Sequence, residues 1–212
     1  MMDRETLAAY DAQAAAYAAT QRAKTPAALY RLIERVFVPG APTADIGCGS
    51  GRDTAWLVAH GFPAIGYDAS PGMLAEARAA YPTLDLRRAA LPGLEEIPAG
   101  AFTNVLCSAV LMHLPAEAIE AALAALCRIV APGGRLLITY RASEIDDPRE
   151  PDGRLYTPIA AEALAAACGR HGLQVWQQTA EADGGRPGVV WHVLVAGRGA
   201  GAQEGQDLFG WH

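Results

Sequence analysis

Apolar positions spaced by three and four open the chain: Leu7, Tyr10, Ala14 and Tyr17 fall on one side of a helix. A second helix is announced by Thr25 as N-cap and Pro26 at the first helical position, with Leu29, Leu32, Ile33 and Val36 on one stripe and Gly40 at its end. From residue 43 the pattern changes to short apolar runs alternating with helix-like segments. That alternation predicts β-α-β units and a mainly parallel sheet. The runs are "TADIG" (43 to 47), "PAIGYD" (63 to 68), "LDLR" (84 to 87), "FTNVLCS" (102 to 108) and "GRLLITY" (134 to 140). Between them, helices are marked by Ser70-Pro71, by Pro115 with Ile119, Leu123 and Leu126, and by Thr157-Pro158 with Leu164, the last closed by Gly172. "LQVWQQTAE" and "GVVWHVLVAG" then flank the turn-rich "DGGRPG" and predict an antiparallel hairpin on the sheet edge. The expected layout is one domain over 1–198, a helical cap (1–40) on an α/β core (43–198). A flexible tail (199–212) carrying Phe209 and Trp211 follows.

Composition narrows the picture. At 212 residues, 51% of them hydrophobic, the chain can bury one good core but hardly two. Cys48, Cys107, Cys127 and Cys168 lie far apart in apolar stretches, which argues for buried thiols rather than a structural metal or a disulfide framework. No apolar run reaches the roughly 18 residues of a membrane span, and "MMDRETLAAYDAQ" lacks the basic start and apolar centre of a signal peptide. A soluble cytoplasmic protein, monomeric or homodimeric, is expected. The net charge of -6 comes with no basic cluster, so nucleic acid is a poor expectation for a partner.

The candidate chemistry centres on "TADIGCGSGRD", which places Gly47, Gly49 and Gly51 behind the first strand and before a helix. Missing Cβ atoms there let a ligand approach the backbone, and helix N–H groups attract its anionic parts. A dinucleotide fingerprint would read G-x-G-x-x-G, but Arg52 follows Gly51. Asp45 lies within the strand, where its carboxylate either faces a cationic amine of the ligand or caps the loop. Arg52 either binds a ligand carboxylate or faces solvent, and Asp53 favours the helix dipole. Asp68 ends the next strand, where an acid can accept both hydroxyls of a ribose. Together these describe an adenosine that carries an amino acid.

"ADIGCGSG", "GYDASPGMLAEAR" and "CSAVLMHL" resemble the motifs of the class I S-adenosylmethionine-dependent methyltransferases, and the likeness runs from about Tyr10 to about Gly197. The resemblance implies a Rossmann-like three-layer α/β/α fold with a mostly parallel seven-stranded sheet, a C-terminal antiparallel hairpin and N-terminal helices. It implies S-adenosylmethionine as methyl donor, with Gly47, Cys48, Gly49 and Gly51 beneath the methionine moiety and Asp68 on the ribose. Ala69 and Met73 would touch the adenine, and backbone around Ala90 and Leu91 its amino group. Ser108 and Val110 would line the methyl-donating side, with Tyr17 of "YDAQAAAY" as a lid over the cofactor. Relatives commonly begin the fourth strand "FD"; Asn104 here reads as a neutral surface change.

Because a sulfonium carries its own leaving group, the protein need mainly hold a nucleophile in line with it in a dry pocket. His113 follows the fourth strand, where it either serves as general base for a hydroxyl acceptor or packs and caps the next helix. Acceptor contacts are expected from Tyr10, Tyr140, Arg141 and Tyr156, the last in "DGRLYTPIAAEALAAACGRHGL", which resembles a segment of small bacterial members; Asp146 and Asp147 read as solvated loop charges. A small-molecule acceptor fits best, since "CSAVLMHL" lacks the N-P-P-Y-like run of nucleic-acid methylators and no recognition domain is appended. A macromolecule methylator and a non-catalytic cofactor-binding module are the alternatives.

Overall fold

Two short helices lead the chain, α1 (Arg4–Ala12), capped by the Asp3 carboxylate accepting from the Thr6 amide, and α2 (Ala14–Arg22), separated from it at Gln13. The structure, a computed structural model, describes residues 2–143, 149–183 and 188–199. Asp146, Asp147, most of the "DGGRPG" turn, and Phe209 and Trp211 of the tail lie outside the described residues. Helix α3 (Ala27–Val36) starts later than the sequence suggests. Pro26 itself is the N-cap residue, with no side-chain cap, and Thr25 precedes it.

The strands β1 (Thr43–Ile46), β2 (Ala64–Asp68), β3 (Asp85–Arg88), β4 (Phe102–Ser108), β5 (Val130–Ser143), β6 (Gln174–Ala182) and β7 (Val189–Gly197) form one sheet in the order β3-β2-β1-β4-β5-β7-β6. The first five run parallel; β7 pairs antiparallel with both β5 and β6. Strand β5 outruns its predicted apolar stretch because β7 stays in register with it from Arg135 to Ser143.

Helices cover both faces, as apolar residues on both sides of the central strands require. Tyr30, Ile33 and Val36 of α3 and Leu57 of α4 (Arg52–Ala59) pack with Leu106 and Leu137 on one face. Helix α5 (Pro71–Ala80) covers the same face at its β2–β3 end, bringing Leu74 and Ala77 onto Leu86. On the other face, Leu123 and Leu126 of α6 (Ile119–Ile129) and Leu164 and Cys168 of α7 (Ala161–Arg170) join Val105, Cys107, Leu136 and Ile138. Ser70 caps α5 as expected, accepting from the Met73 amide with Pro71 behind it. Thr157 does not cap α7. Its hydroxyl donates to Leu114 O at 2.6 Å and its amide to Met112 O at 2.7 Å, tying the loop before α7 to the turn after β4.

Asn104 is a correction of another kind. It is fully buried, accepts from the Val38 amide at 2.9 Å, and donates to Val38 O at 2.9 Å and Thr43 Oγ1 at 3.0 Å. Its amide joins the end of α3 to the start of β1. Among the described residues, no helix is long and apolar enough to cross a membrane.

Candidate active site

The parallel strands end on one edge of the sheet, and the loops leaving β1, β2, β4 and β5 line a cavity of about 760 Å³ there. After β1 the chain reverses sharply. Gly47 adopts φ +77°, and a Cβ there would overlap the Val110 side chain. The amides of Gly47 and Cys48 both donate to Tyr67 O, at 2.7 and 2.9 Å. Gly51, at φ +75°, is the N-cap of α4 and sits against Ala77 of α5 and against Tyr81, the residue that follows that helix. It lies outside the cavity lining, and its missing Cβ makes room for the close approach of Ala77 and Tyr81.

Asp68 faces the cavity at the end of β2, with Oδ2 accepting from the Gly49 amide and Oδ1 from the Ser70 amide, each at 2.8 Å. Burial raises its pKa. A carboxylate has about four lone-pair sites, so each oxygen keeps capacity for a ligand hydroxyl. Ala69, Met73, Ala89 and Leu91 form the apolar lining next to it. Ala89, not Ala90, is the wall residue; Ala90 is exposed.

Asp45 does not reach the cavity and does not cap the loop. It is 2% exposed beneath the loop and accepts from Thr54 Oγ1 at 2.6 Å. Burial, with the Asp53 charge nearby, pushes it up to about 7. Arg52 lines the cavity but is already engaged: Nε and Nη2 donate to the Asp53 carboxylate at 2.8 Å, and Nη1 to Gln21 O at 3.0 Å. Asp53 also accepts from the Tyr30 hydroxyl at 2.8 Å. Gln21, which the sequence did not single out, reaches over the loop and accepts from the Ser50 amide through Oε1 at 3.0 Å.

From β4, Ser108, Ala109 and Val110 line the cavity, and Cys48 faces it with a thiol that burial raises well above its usual range. Ala109 takes φ +59°, a left-handed conformation rare for alanine, and its amide donates to Thr139 O at 2.8 Å. Ser108 and Thr139 hydroxyls lie 2.8 Å apart across the β4–β5 pair.

His113 ends the short turn Leu111–His113 and is 4% exposed. Its Nδ1 is 2.7 Å from Leu155 O, which only accepts, so Nδ1 carries the proton and Nε2 accepts from the Tyr10 hydroxyl at 3.1 Å. Burial lowers its pKa to about 4, and Tyr10 is pushed up to about 12. The imidazole is therefore neutral, with both nitrogens engaged. Tyr156 meets His113 edge-on at 4.8 Å between ring centres and lies under Arg141, whose Cζ is 4.4 Å from its centre.

Arg154 also lines this wall, with Cζ 5.7 Å from the Tyr10 ring centre and 5.5 Å from that of Tyr156. It lies in the polar loop "SEIDDPREPDGRLY" that leads to Tyr156, a stretch expected at the acceptor, although Arg154 itself is not singled out in the sequence. Besides Asp45, Gly51 and Ala90, two further expected residues are not at the cavity. Tyr17 donates to Asp152 Oδ2 at 3.0 Å, and its ring meets Tyr10 at 5.0 Å between centres and the Arg154 Cζ at 4.9 Å, contacts that tie it to the 149–156 loop outside the cavity lining. Tyr140 is fully buried on the α6–α7 face, since side chains alternate along β5 and Thr139 and Arg141 take the cavity face.

With this geometry in view, the likeness to known proteins is specific. A family model described as "Methyltransferase domain" matches residues 44–138. Trans-aconitate 2-methyltransferase of Methylobacterium nodulans is 39% identical over 132 residues, 60% of this chain and 47% of that protein. Ubiquinone biosynthesis O-methyltransferase of Hahella chejuensis is 30% identical over 149 residues, 68% of this chain and 59% of that protein. The chain thus spans about half the length of the curated relatives it matches. In fold, it resembles the crystal structure of Burkholderia thailandensis 1,6-didemethyltoxoflavin-N1-methyltransferase with bound 1,6-didemethyltoxoflavin and S-adenosylhomocysteine, with a TM-score of 0.59 at 23% identity over 76% of this chain and 72% of that one. The glycine turn, the strand-end acid, the sheet order and these likenesses agree: residues 44–138 match a methyltransferase domain, and the chain resembles the class I S-adenosylmethionine-dependent methyltransferases.

Proposed function

We propose that the protein transfers the methyl group of S-adenosylmethionine to an oxygen of a small-molecule acceptor, leaving S-adenosylhomocysteine. The observation that carries this reading is one cavity lined both by Asp68 with the glycine turn and by a wall of Tyr10, His113, Arg141, Arg154 and Tyr156. A volume of about 760 Å³ suits two small ligands better than an extended polymer. The oxygen acceptor is supported by the relatives, whose names give trans-aconitate and ubiquinone biosynthesis as their business. Four unpaired, buried cysteines fit a reducing compartment such as the cytoplasm.

The residues fit the donor. Gly47 and Gly49 line the cavity with backbone that the methionine arm can approach, and the open lone pairs of Asp68 take the ribose hydroxyls. Met73, Ala89 and Leu91 supply an apolar wall for the adenine. The bound donor supplies an electrophilic methyl with its leaving group attached. The protein then excludes water and orients the acceptor with Tyr10, Tyr156 and the two arginines. His113 acts by fixing the Tyr10 hydroxyl.

Calorimetry with S-adenosylhomocysteine tests the donor side. Asp68→Ala is expected to weaken binding by about 1.5 to 3 kcal/mol, the loss typical of hydrogen bonds to a charged group. Unchanged affinity would place the ribose elsewhere. Labelled donor supplied with hydroxyl, carboxyl, amine and thiol acceptors tests the transfer.

A further inference from the structure

Resting on S-adenosylmethionine as the donor in this cavity, we propose that Asp45, one layer behind the glycine turn, makes the site tell donor from product by charge: it ionises when the sulfonium is bound and is a neutral acid against the thioether of S-adenosylhomocysteine. Asp45 sits in β1 between Gly66 of β2 and Leu106 of β4 and is 2% exposed. Ile46 and Gly47, the next two residues, line the cavity, and a span of two residues is at most about 7 Å. Among the described residues, one hydrogen-bond donor reaches its carboxyl, the Thr54 hydroxyl at 2.6 Å. The charges that face it do not favour an anion. Arg52 of α4 is a nearby cation, but Asp53 binds it through two hydrogen bonds of 2.8 Å, and Asp53 and Asp68 of β2 are themselves acids. Cys48 in the loop and Cys107 in β4 are thiols that burial keeps protonated. A carboxyl so placed is held neutral by burial, and its pKa is pushed up to about 7.

Donor and product differ by one positive charge, which sits on sulfur. Both carry the same amino and carboxylate groups, so those groups cannot separate them. A cation brought to the glycine turn lowers the pKa of an acid behind it, because the low dielectric of the sheet interior screens the pair little. Donor binding at neutral pH therefore sends the Asp45 proton to solvent. When the S–CH3 bond breaks, its bonding pair stays on sulfur, the sulfur becomes neutral, and Asp45 takes a proton back from solvent. The product is left beside an uncharged acid, without the attraction that held the donor. This action needs no contact, which suits a residue outside the cavity lining. Donor affinity gains as pH rises through the Asp45 pKa, because the proton no longer has to be removed, while this residue leaves product affinity unchanged.

Calorimetry in the absence of acceptor tests this, with S-adenosylmethionine and S-adenosylhomocysteine each titrated into the full chain from about pH 5.5 to about pH 8.5. Runs in two buffers of different ionisation enthalpy count the protons released on binding. In the wild type, the preference for donor over product is expected to rise by about tenfold across the range, with more protons released by the donor near neutrality. Asp45→Asn keeps the shape and an acceptor for the Thr54 hydroxyl but cannot ionise, and it should lose that rise. Titration of the ligands' own amino groups is common to both proteins, so the difference between them reads Asp45. A second variant, Thr54→Val, removes the donor that favours the anion and should move the midpoint of the rise to higher pH. Folding of each is checked by circular dichroism. Proton release equal for both ligands in the wild type, or equal pH slopes for wild type and folded Asp45→Asn, overturns the inference while sparing the donor reading. So does an unmoved midpoint in Thr54→Val where Asp45→Asn does not fold. Failure of both ligands to bind at any pH overturns the donor reading itself.

Discussion

Two titratable side chains, His113 and Asp45, are buried where burial favours their neutral forms, and they pull stability in opposite directions with pH. His113 has a folded pKa near 4 against an ordinary value of 6.5, so below neutrality the unfolded chain takes up a proton that the folded one refuses. Stability from this residue is complete above about pH 6.5 and lost as pH falls towards about 4, by about 3 kcal/mol. Asp45 is the reverse case, with a folded pKa near 7 against 3.8. Its cost appears as pH rises through that window, because the unfolded chain ionises first. The two largely cancel in the wild type and separate in variants. Relative to wild type, His113→Gln should gain stability as pH is lowered from about 7 to about 4, and Asp45→Asn as it is raised over the same range. Urea unfolding across that interval reads both slopes, and parallel wild-type and variant curves would show that neither group is held neutral.

At the scale of single elements, β4 and β5 show what alternation settles and what it leaves open. Period two along β5 assigns Tyr140 to the helix-covered face and Thr139 and Arg141 to the cavity. Tyr140 and Arg141, both expected at the acceptor from their place at the end of the fifth strand, fall on opposite faces because they are consecutive along β5. Asn104 departs from expectation for a related reason. Its polarity suggested the surface, while the neighbours that satisfy it, Val38 and Thr43, come from a loop 66 residues away and from the adjoining strand. Asn104→Ala should cost about 2 kcal/mol, because it strips partners from both Val38 backbone groups without filling the space. Equilibrium urea unfolding measures it, with cofactor affinity unchanged because Asn104 is not among the cavity-lining residues. A loss below about 0.5 kcal/mol would mean water replaces the amide without penalty.

Over the whole molecule, legibility followed the range of the interactions. The cofactor wall is built from segments whose turn chemistry is local, "DIGCGSG" and "GYDASPG", and those could be located from glycine, acid and cap positions alone. The acceptor wall could not, since it forms only when Tyr10 meets His113 and residues 149–156 fold back onto α1. The same helices join the two walls. Asp11 accepts from the Ser70 hydroxyl and the Gly72 amide at the start of α5, while Gln21 holds the Ser50 amide of the glycine loop. Thr6 accepts from the Leu155 amide, and Asp3 pairs with Arg149. Asp11 does not line the cavity, so Asp11→Ala probes this coupling without touching a ligand. If α1 and α2 brace the cofactor loop, the variant should weaken S-adenosylhomocysteine by about 1 kcal/mol and speed amide exchange in both helices, leaving β1 and β4 protected. Combined with Gln21→Ala, the losses should be less than additive, since both substitutions release one support. Faster exchange with unaltered affinity would instead make the two helices a passive cover.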